Sequence, residues 1–379
     1  MKIALLRERH DGELRVALAP AHCARLINAG HEIRMEAGAG ASASIPDAAY
    51  IEAGVAVADD PAEVLSDADA VVAVRWPTLL GSGTLPEPLE SGWPTGTLFI
   101  TLGGQEAAPL AAIAERQGSI LALEHLPRIT RAQAMDVLSS QATAAGYAAV
   151  LRAASHFPRF FPMLTTASGT VAPARVLVLG AGVAGLQAIA TARRLGAAVT
   201  GYDIRPAALE QIRSLGARSL EIPSGDDESE DEGGYARALP EDAQERQQTF
   251  LARAAADFDV IVTTAQIPGR PAPLLLTDEA VAAMRPGSVI VDLAGESGGN
   301  CAASEAGAVI TVGGVTIDAP LNPASDVALN ASEMFGRNLV TLLGHLQSDE
   351  GTVALDPDDE IVGPLLRVHR GERRDGGTP

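Results

Sequence analysis

The chain has 379 residues, a formal net charge of −20 and two cysteines, Cys23 and Cys301. At about 150 residues per domain, this length predicts two or three domains, and the negative charge argues against binding to nucleic acid or to an anionic membrane surface. The cysteines lie far apart and match no metal-ligand spacing, which indicates a reducing cytosol and predicts no bound metal.

No stretch offers 18 uncharged apolar residues, so we expect no membrane-spanning helix and no direct membrane insertion. The apolar run at residues 1–6 is too short for a signal peptide and predicts a first strand.

The first third of the chain, residues 1–125, alternates predicted strands with predicted helices. This alternation, which carries no phosphate-binding fingerprint, predicts a doubly wound domain. We expect strands near 2–6, 31–36, 68–74, 97–102 and 119–124, and helices near 21–29, 47–53 and 109–116. A polar loop at 127–136 then precedes one long helix, predicted for 137–157.

Residues 175–203 carry the strongest local signal in the sequence. A continuous run of valine and leucine ends at Gly180, and the glycines that follow have the spacing G-x-G-x-x-G. A helical segment and a second strand then lead to Asp203. Strand, glycine turn, helix, strand and acid together predict a dinucleotide-binding unit.

Each of these positions has a physical role in such a unit. Gly180 permits the tight turn, Gly182 lets a pyrophosphate approach the backbone, and Gly185 lets the helix pack against the strand. The helix N-terminus offers N–H groups to the phosphates. Asp203 can accept hydrogen bonds from the adenosine ribose and would repel a 2′-phosphate, which favours NAD(H) over NADP(H). We expect Arg205 to soften this preference only slightly.

The remainder of the chain continues the α/β pattern. Residues 224–235 are acidic and rich in glycine, so we expect an exposed mobile loop, and its last residues suggest a lid. Further helices are predicted at 207–215, 241–256, 277–284 and 332–346, and strands at 218–222, 259–265, 288–294 and 315–317.

The predicted fold class is therefore α/β, with two Rossmann-like doubly wound parallel-sheet domains linked by long helices. We expect residues 1–139 plus 330–379 to form the N-terminal domain and residues 140–329 to form the NAD(H)-binding domain. The nucleotide is expected in the cleft, on the carboxyl edge of the second sheet.

The segment around residue 130 points to a family. Residues 127–147 read PRITRAQAMDVLSSQATAAGY and closely resemble the NAD(H)-binding alpha subunit of proton-translocating NAD(P) transhydrogenase, a relative of alanine dehydrogenase. Residues 15–20, 180–186, 263–273 and 291–301 carry the same resemblance, which runs over nearly the whole chain.

The resemblance implies a function and partners. It implies that this chain binds NAD(H), that a partner subunit binds NADP(H), and that hydride passes directly between the two nicotinamides. It also implies a homodimer and a cytoplasmic location, peripheral to the inner membrane through separate membrane-spanning and NADP(H)-binding subunits.

The resemblance further assigns roles to individual residues. Arg128, Gln133, Asp136 and Ser139 are implied to position the nicotinamide end, with Gln133 directed toward the partner's nucleotide. Arg128 can donate to the carboxamide oxygen, and Asp136 or Ser139 can accept from its amide nitrogen. The other cofactor-binding residues are expected to be Ile129, Thr130, Tyr147, Gly180, Gly182, Val183, Ala184, Gly185, Asp203, Ile204, Arg205, Gly234, Tyr235, Ala265, Gln266 and Glu296.

Two alternative functions remain open at this point. An alanine-type amino-acid dehydrogenase would have a lysine after the strand at 68–74 and a histidine after the strand at 97–102. Arg75-Trp76 and Gly103-Gly104-Gln105 stand there instead. An NAD-sensing module without a redox partner is the second alternative. Three places depart from the family pattern: Gln266, Ala302 and the segment 320–336.

Overall fold

A computed structural model describes residues 1–75, 92–103, 107–221, 240–267, 270–347 and 353–374. The chain divides into two compact units. Unit 1 comprises Met1–Gln141 with Ala324–Pro379, and unit 2 comprises Ala142–Pro323. That these units match the functional domains stays a prediction. Within the described residues, no helix is long and apolar enough to cross a bilayer.

Unit 1 is built on a mainly parallel eight-stranded sheet, counted over the described residues. Its order is β17-β16-β6-β5-β4-β1-β2-β3, and β16 and β17 are the antiparallel members. The strands are β1 Lys2–Leu5, β2 Glu32–Glu36, β3 Ala56–Ala58, β4 Ala70–Arg75, β5 Leu98–Leu102, β6 Ser119–Ala122, β16 Leu366–His369 and β17 Glu372–Arg373.

Helices cover the faces of this sheet. The central strand β4 reads AVVAVR and is buried along nearly its whole length, as expected for a parallel strand packed on both sides. The helices of unit 1 are α1 Pro20–Asn28, α2 Asp47–Glu52, α3 Pro61–Leu65, α4 Ala107–Glu115, α10 Ala328–Leu346 and α11 Val362–Leu365. Helix α5, Val137–His156, begins in unit 1 and ends in unit 2.

Unit 2 repeats the design around a sheet in which seven strands are described. The order is β11-β10-β9-β12-β13-β15-β14, and β14 alone in this sheet runs antiparallel to its described neighbour. Its strands are β9 Arg175–Leu179, β10 Ala198–Tyr202, β11 Arg218–Ser219, β12 Val260–Thr263, β13 Val289–Asp292, β14 Val309–Val312 and β15 Val315–Asp318.

The helices of unit 2 fill the connections between parallel strands. They are α6 Val183–Arg194, α7 Pro206–Ser214, α8 Glu241–Ala255 and α9 Asp278–Ala283. Thr277 caps α9, because its side chain accepts a hydrogen bond from the Ala280 N–H. A small antiparallel hairpin, β7 Leu164–Thr166 with β8 Gly169–Val171, precedes β9.

The predicted fold class is confirmed, and most predicted elements lie within two or three residues of the observed ones. Several short strands that lack a buried apolar run were not predicted: β3, the β7–β8 hairpin, β14 and the C-terminal pair β16–β17. The predicted strand at 218–222 is observed only as Arg218–Ser219, and residue 222 lies outside the described residues.

Candidate nucleotide-binding site

The glycine turn after β9 lies at the carboxyl edge of the sheet in unit 2. β9 lies between β10 and β12, so the connections on its two sides lead in opposite directions at its carboxyl end. Ligands bind at such topological switch points in open α/β sheets. Gly180 opens the turn with φ of +93°, a left-handed conformation that favours glycine.

Gly185 and Gly182 are glycines for two different reasons. A Cβ on Gly185 would lie 1.9 Å from the Gly180 carbonyl oxygen, so no side chain fits between α6 and the turn. A Cβ on Gly182 would meet no heavy atom of the described residues within 4 Å, and its backbone is extended, with φ of −73°. Nothing described in the chain therefore requires a glycine at position 182, whereas a ligand that approaches the backbone there would.

Helix α6 begins directly after this open position. Gly182 is its N-cap residue and has no side chain to cap it. The first-turn N–H groups of Val183, Ala184 and Gly185 have no acceptor within the helix. These groups and the helix dipole favour an anion, and the geometry suits a pyrophosphate.

Asp203 follows β10 and links it to the glycine turn. Its Oδ2 accepts a hydrogen bond from the Ala181 N–H at 2.7 Å and from Arg205 Nη2 at 2.9 Å. Its Oδ1 accepts from the Arg205 backbone N–H and from Arg205 Nε, both at 2.9 Å. Burial opposes ionisation, but the bonds from Arg205 and Ala181 outweigh it and lower the pKa of Asp203. The sequence analysis gave Arg205 a minor influence and did not anticipate this bidentate ion pair.

The loop after β12 is held by Asn300, a residue to which the sequence analysis gave no role. Asn300 Oδ1 accepts from the Ala265 N–H at 3.0 Å, and Asn300 Nδ2 donates to the Ala265 carbonyl at 2.9 Å. The same Nδ2 donates to the Pro273 carbonyl at 2.8 Å. This fully buried amide fixes the backbone at Ala265, one of the predicted cofactor-binding residues.

Asp292 fixes the loop after β13 in a similar way. It is fully buried, and its carboxylate accepts hydrogen bonds from three backbone N–H groups and two hydroxyl groups. The donors are the N–H groups of Ala294, Asn300 and Cys301 and the hydroxyls of Thr263 and Ser304. Asp292 and Asn300 stand in the family-like segment 291–301, where only Glu296 was predicted as a site residue.

Gln266 and Glu296 are both exposed at this edge of the sheet. The Gln266 amide donates to the Leu293 carbonyl at 3.2 Å, so it joins the loops after β12 and β13. Gln266 departs from the apolar residue that is usual in the family, and this contact gives the glutamine a structural role. Glu296 lies in a short 3-10 helix, Gly295–Ser297.

The predicted nicotinamide loop belongs to unit 1 and is well anchored there. It forms a 3-10 helix, Thr130–Met135, in which Ala132 and Met135 are buried in the main core of the unit. Asn338 on α10 donates to the Ala134 carbonyl at 2.9 Å. Gln133, placed between the two buried anchors, is exposed. The loop therefore presents Gln133 on a fixed backbone.

The other predicted residues of this loop differ in exposure. Arg128 and Thr130 are exposed, whereas Ile129 is half-buried. Asp136 caps α5, because it accepts from the Ser139 N–H at 2.9 Å and from the Ser139 hydroxyl at 2.5 Å. Asp136 and Ser139 thus form one hydrogen-bonded pair at the helix start.

Three further residues that were predicted to bind the cofactor are Tyr147, Gly234 and Tyr235. Tyr147 is exposed on α5, next to Gly146. A Cβ on Gly146 would lie 2.1 Å from the Ala184 carbonyl oxygen, so α5 packs directly against the first turn of α6. Gly234 and Tyr235, with the proposed lid, lie outside the described residues, as do Trp76, Gly104 and Gln105.

The residues of unit 2 fit a dinucleotide. Gly182 leaves room for a phosphate, the first turn of α6 supplies donors, and Asp203 follows β10, 21 residues beyond Gly182, where an acidic residue of such a unit accepts hydrogen bonds from a ribose. The fold and the glycine turn after β9 define the class of the protein: it is a two-unit α/β protein with a Rossmann-type nucleotide-binding unit. More particularly, the chain belongs to the alanine dehydrogenase/PNT family. The N-terminal domain of that family matches residues 4–145, and its C-terminal domain matches residues 149–375.

Similar proteins confirm the predicted resemblance. The chain is 45% identical over 369 residues to the first part of NAD(P) transhydrogenase subunit alpha of Rhodospirillum rubrum, a match that covers 96% of this chain and 94% of the relative. It is 39% identical over 372 residues to the protein of that name from Rickettsia prowazekii, covering 98% and 96%. A solved transhydrogenase structure from Sinorhizobium meliloti aligns with a TM-score of 0.86 and 42% identity, over 99% of this chain and 100% of that one.

Alanine dehydrogenases are more distant relatives. The enzyme from Mycolicibacterium smegmatis is 30% identical over 304 residues, which is 79% of this chain and 74% of the relative. The family therefore includes the rival function, and the choice between the two must come from residues.

Proposed function

We propose that this chain is the NAD(H)-binding component of a proton-translocating transhydrogenase. In this proposal hydride passes directly between NADH on this chain and NADP⁺ on a partner subunit, and a separate membrane subunit carries the protons. The observation that carries the proposal is Gly182, whose missing side chain leaves open space at the N-terminus of α6. The transhydrogenase alpha subunits among the relatives support the reaction type.

The residues of this chain bind the nucleotide and orient its reacting ring. The first turn of α6 holds the pyrophosphate, Asp203 and Arg205 face the adenosine ribose, and Asn300 fixes the backbone at Ala265. Bound NADH supplies the hydride itself, so the chain needs no general acid or base of its own. Its task is to hold the reacting ring in place and to exclude water.

The nicotinamide end is assigned to the loop of unit 1. We propose that Arg128 donates to the carboxamide and that the Asp136–Ser139 pair accepts from it. Gln133 faces the partner's nucleotide. The buried anchors of this loop support the assignment, because an exposed side chain on a fixed backbone can align two rings with little reorganisation.

The rival dehydrogenase function is opposed by a buried ion pair in unit 1. Arg15, which both families share, donates to Glu13 at 2.6 and 2.7 Å, and the two side chains are 3% and 0% exposed. Arg75 Nε also contacts Glu13, at 3.5 Å. A keto-acid carboxylate would have to displace Glu13 before it could form a bidentate pair with Arg15.

We further propose a homodimer that is peripheral to the inner membrane through its partner subunits. Two large apolar side chains, Phe160 and Met163, are 58% and 62% exposed just before the β7–β8 hairpin. Exposed apolar residues that adjoin a projecting hairpin support self-association. Light scattering at micromolar concentration should give twice the chain mass, and a monomeric mass would contradict the proposed dimer.

The central test is reconstituted hydride transfer. The chain is mixed with an NADP-binding transhydrogenase component, and transfer from NADH to an NADP⁺ analogue is followed by stopped flow. We expect transfer only when both components are present. Transfer without the partner component would contradict the role given to the partner subunit, and NAD-dependent deamination of L-alanine by the isolated chain would favour the rival. NADH binding without transfer in any mixture would favour the sensing module.

Gln133→Asn tests the role of the loop directly, because it shortens the side chain that is proposed to align the two rings. Misplacing the two rings by about 1 Å can slow transfer about a hundredfold, whereas NADH affinity should stay nearly unchanged. Arg128→Ala should weaken NADH binding as well, because it removes a direct contact. Gln211→Asn, an exposed glutamine on α7, is the matched control. Parental transfer by Gln133→Asn, or a loss of affinity equal to that of Arg128→Ala, would contradict the role given to the loop.

A further inference from the structure

The carboxylate of Asp203 has little acceptor capacity left for a ligand. Each of its oxygens accepts two hydrogen bonds, and three of the four donors belong to Arg205. An ionised carboxylate offers about two acceptor sites per oxygen. The pair is also well shielded, since the side chains of Asp203 and Arg205 are 6% and 17% exposed.

The adenosine ribose of NAD(H) presents hydroxyl groups, which need acceptors. The same ribose in NADP(H) carries a 2′-phosphate, which needs cations or N–H donors and is repelled by a carboxylate. With the ion pair closed, the two charges largely cancel, and the guanidinium covers the oxygens that hydroxyls would use. The ion pair therefore weakens the preference for NAD(H) that the carboxylate of Asp203 alone would give.

We propose that Arg205 sets the nucleotide selectivity of this site by covering Asp203. This inference rests on the proposed function, in that it takes unit 2 as the NAD(H) site. A 2′-hydroxyl must displace a guanidinium N–H to reach the carboxylate, whereas a 2′-phosphate meets an arginine that it can pair with. Arg205 thus lowers the discrimination that Asp203 alone would give.

The backbone makes the effect of removing Arg205 specific. In Arg205→Ala the N–H groups of residues 181 and 205 still hold the carboxylate, one on each oxygen. The guanidinium bonds, also one on each oxygen, are lost. One acceptor site per oxygen becomes available, which matches the two neighbouring hydroxyls of a ribose.

The test is a pair of titrations on the full chain, with NADH and with NADPH. In Arg205→Ala the ratio of the NADPH Kd to the NADH Kd should rise about tenfold or more, because a charged hydrogen bond shifts from one nucleotide to the other. Asp203→Asn should lower the ratio, since it removes the repulsion and leaves the arginine. Arg213→Ala is the control: Arg213 is an exposed arginine on α7 that pairs with Glu221, and the ratio should not change.

The outcomes separate this inference from the proposed function. If the parental chain binds NADH and Arg205→Ala leaves the ratio unchanged, or lowers both affinities equally, Arg205 has only a structural role and the inference is wrong. If the parental chain binds neither nucleotide, the proposed function fails instead. Arg205→Lys covers the case of poor folding: it keeps the charge but not the bidentate contact, so the ratio should rise by less than in Arg205→Ala, and an unchanged ratio overturns the inference.

Discussion

The two sheets share the strand order 3-2-1-4-5, counted along the chain within each sheet, and differ at the same place. In both, the first strand of the sheet lies between the second and the fourth, so each has a switch point at the carboxyl end of that strand. In unit 2 a glycine turn and the start of α6 occupy the switch point. In unit 1, β1 is followed by a longer segment that reaches α1 only at Pro20 and carries Glu8, Glu13 and Arg15.

Charged side chains fill the corresponding position of unit 1. Glu13 and Arg15 form the buried ion pair, and Ser325 donates to Glu13 at 2.9 Å. Glu8 accepts from the Val74 N–H at 2.6 Å and from the Arg75 N–H at 3.3 Å, so it ties the end of β4 to the segment after β1. Strand order alone therefore does not make a nucleotide site. The residues that leave the first strand decide whether the switch point holds a ligand or the protein's own side chains.

The largest expected effect comes from breaking the charged cluster of unit 1. Glu13→Ala removes the partner of a buried arginine, which typically costs about 3–5 kcal/mol. Arg15 would retain the Gln141 amide oxygen, 2.8 Å away, as an acceptor, but no carboxylate in bidentate contact. Urea denaturation, followed by circular dichroism, measures the loss.

A double variant checks the physical reason for this loss. Replacing both members, as in Glu13→Leu with Arg15→Met, leaves no buried charge and should cost clearly less than Glu13→Ala alone. NADH binding to unit 2 should survive under folding conditions. Equal costs for the single and double variants would show that packing, and not the unpaired charge, dominates.

The glycine turn of unit 2 offers the next largest effect, in two variants that separate folding from binding. Gly185→Ala places a Cβ against the Gly180 carbonyl, and such overpacking costs about 1–3 kcal/mol. Gly182→Ala has open space and an ordinary backbone, so stability should change by less than about 0.5 kcal/mol.

NADH binding should respond in the opposite order to stability, so that Gly182→Ala weakens binding more than Gly185→Ala does. The methyl group of Gly182→Ala stands where the phosphates approach, so the NADH Kd should rise about tenfold, the equivalent of one lost contact. Calorimetry and denaturation on the same samples give both quantities. Parental NADH affinity in Gly182→Ala would remove the observation that supports the nucleotide site.

The comparison also explains what the sequence could and could not predict. The glycine spacing, the apolar run of β9 and Asp203 are local, so the fingerprint of unit 2 could be recognised directly. The fold class followed from the alternation of strands and helices. The roles of Asn300 and Asp292 arise from contacts between separate loops, and a lone buried asparagine or aspartate gives no periodic signal.

The contacts of Arg205 and Gln266 could not be predicted for a related reason. Their residue types indicated a softened preference and a departure from the family, but their partners are set by the geometry of the turn. The strands β14, at a sheet edge, and β16, next to one, were not predicted because they become strands only through pairing with a neighbour. The assignments of Gln133, Arg128, Asp136 and Ser139 stay predictions.

Glu8 distinguishes unit 1 by its pH dependence. Burial, reinforced by the nearby charge of Glu13, raises the pKa of Glu8 from 4.5 to about 8. The native chain then keeps a proton that the unfolded chain has lost, so the contribution of Glu8 to stability is greatest below about pH 4.5 and falls as the pH rises toward 8. Glu13 acts in another window: burial opposes its ionisation, but Arg15 outweighs burial and lowers the pKa to about 2. Its contribution is lost only as the pH falls below about 4.5.

Between pH 5 and 8 the two carboxyl groups can therefore be told apart. Burial lowers the pKa of His22 and His31, and this makes stability rise with pH over part of the range. The quantity to compare is therefore the difference in the free energy of unfolding between a variant and the parental chain at each pH. Glu8→Gln keeps a neutral side chain in place of the protonated acid and should remove the downward slope, whereas the exposed Glu52→Gln should keep it. Denaturation curves collected at several pH values give the two slopes. If the stability curves of Glu8→Gln and the parental chain run parallel from pH 5 to 8, Glu8 is ionised in the folded protein and adds a second negative charge beside Glu13.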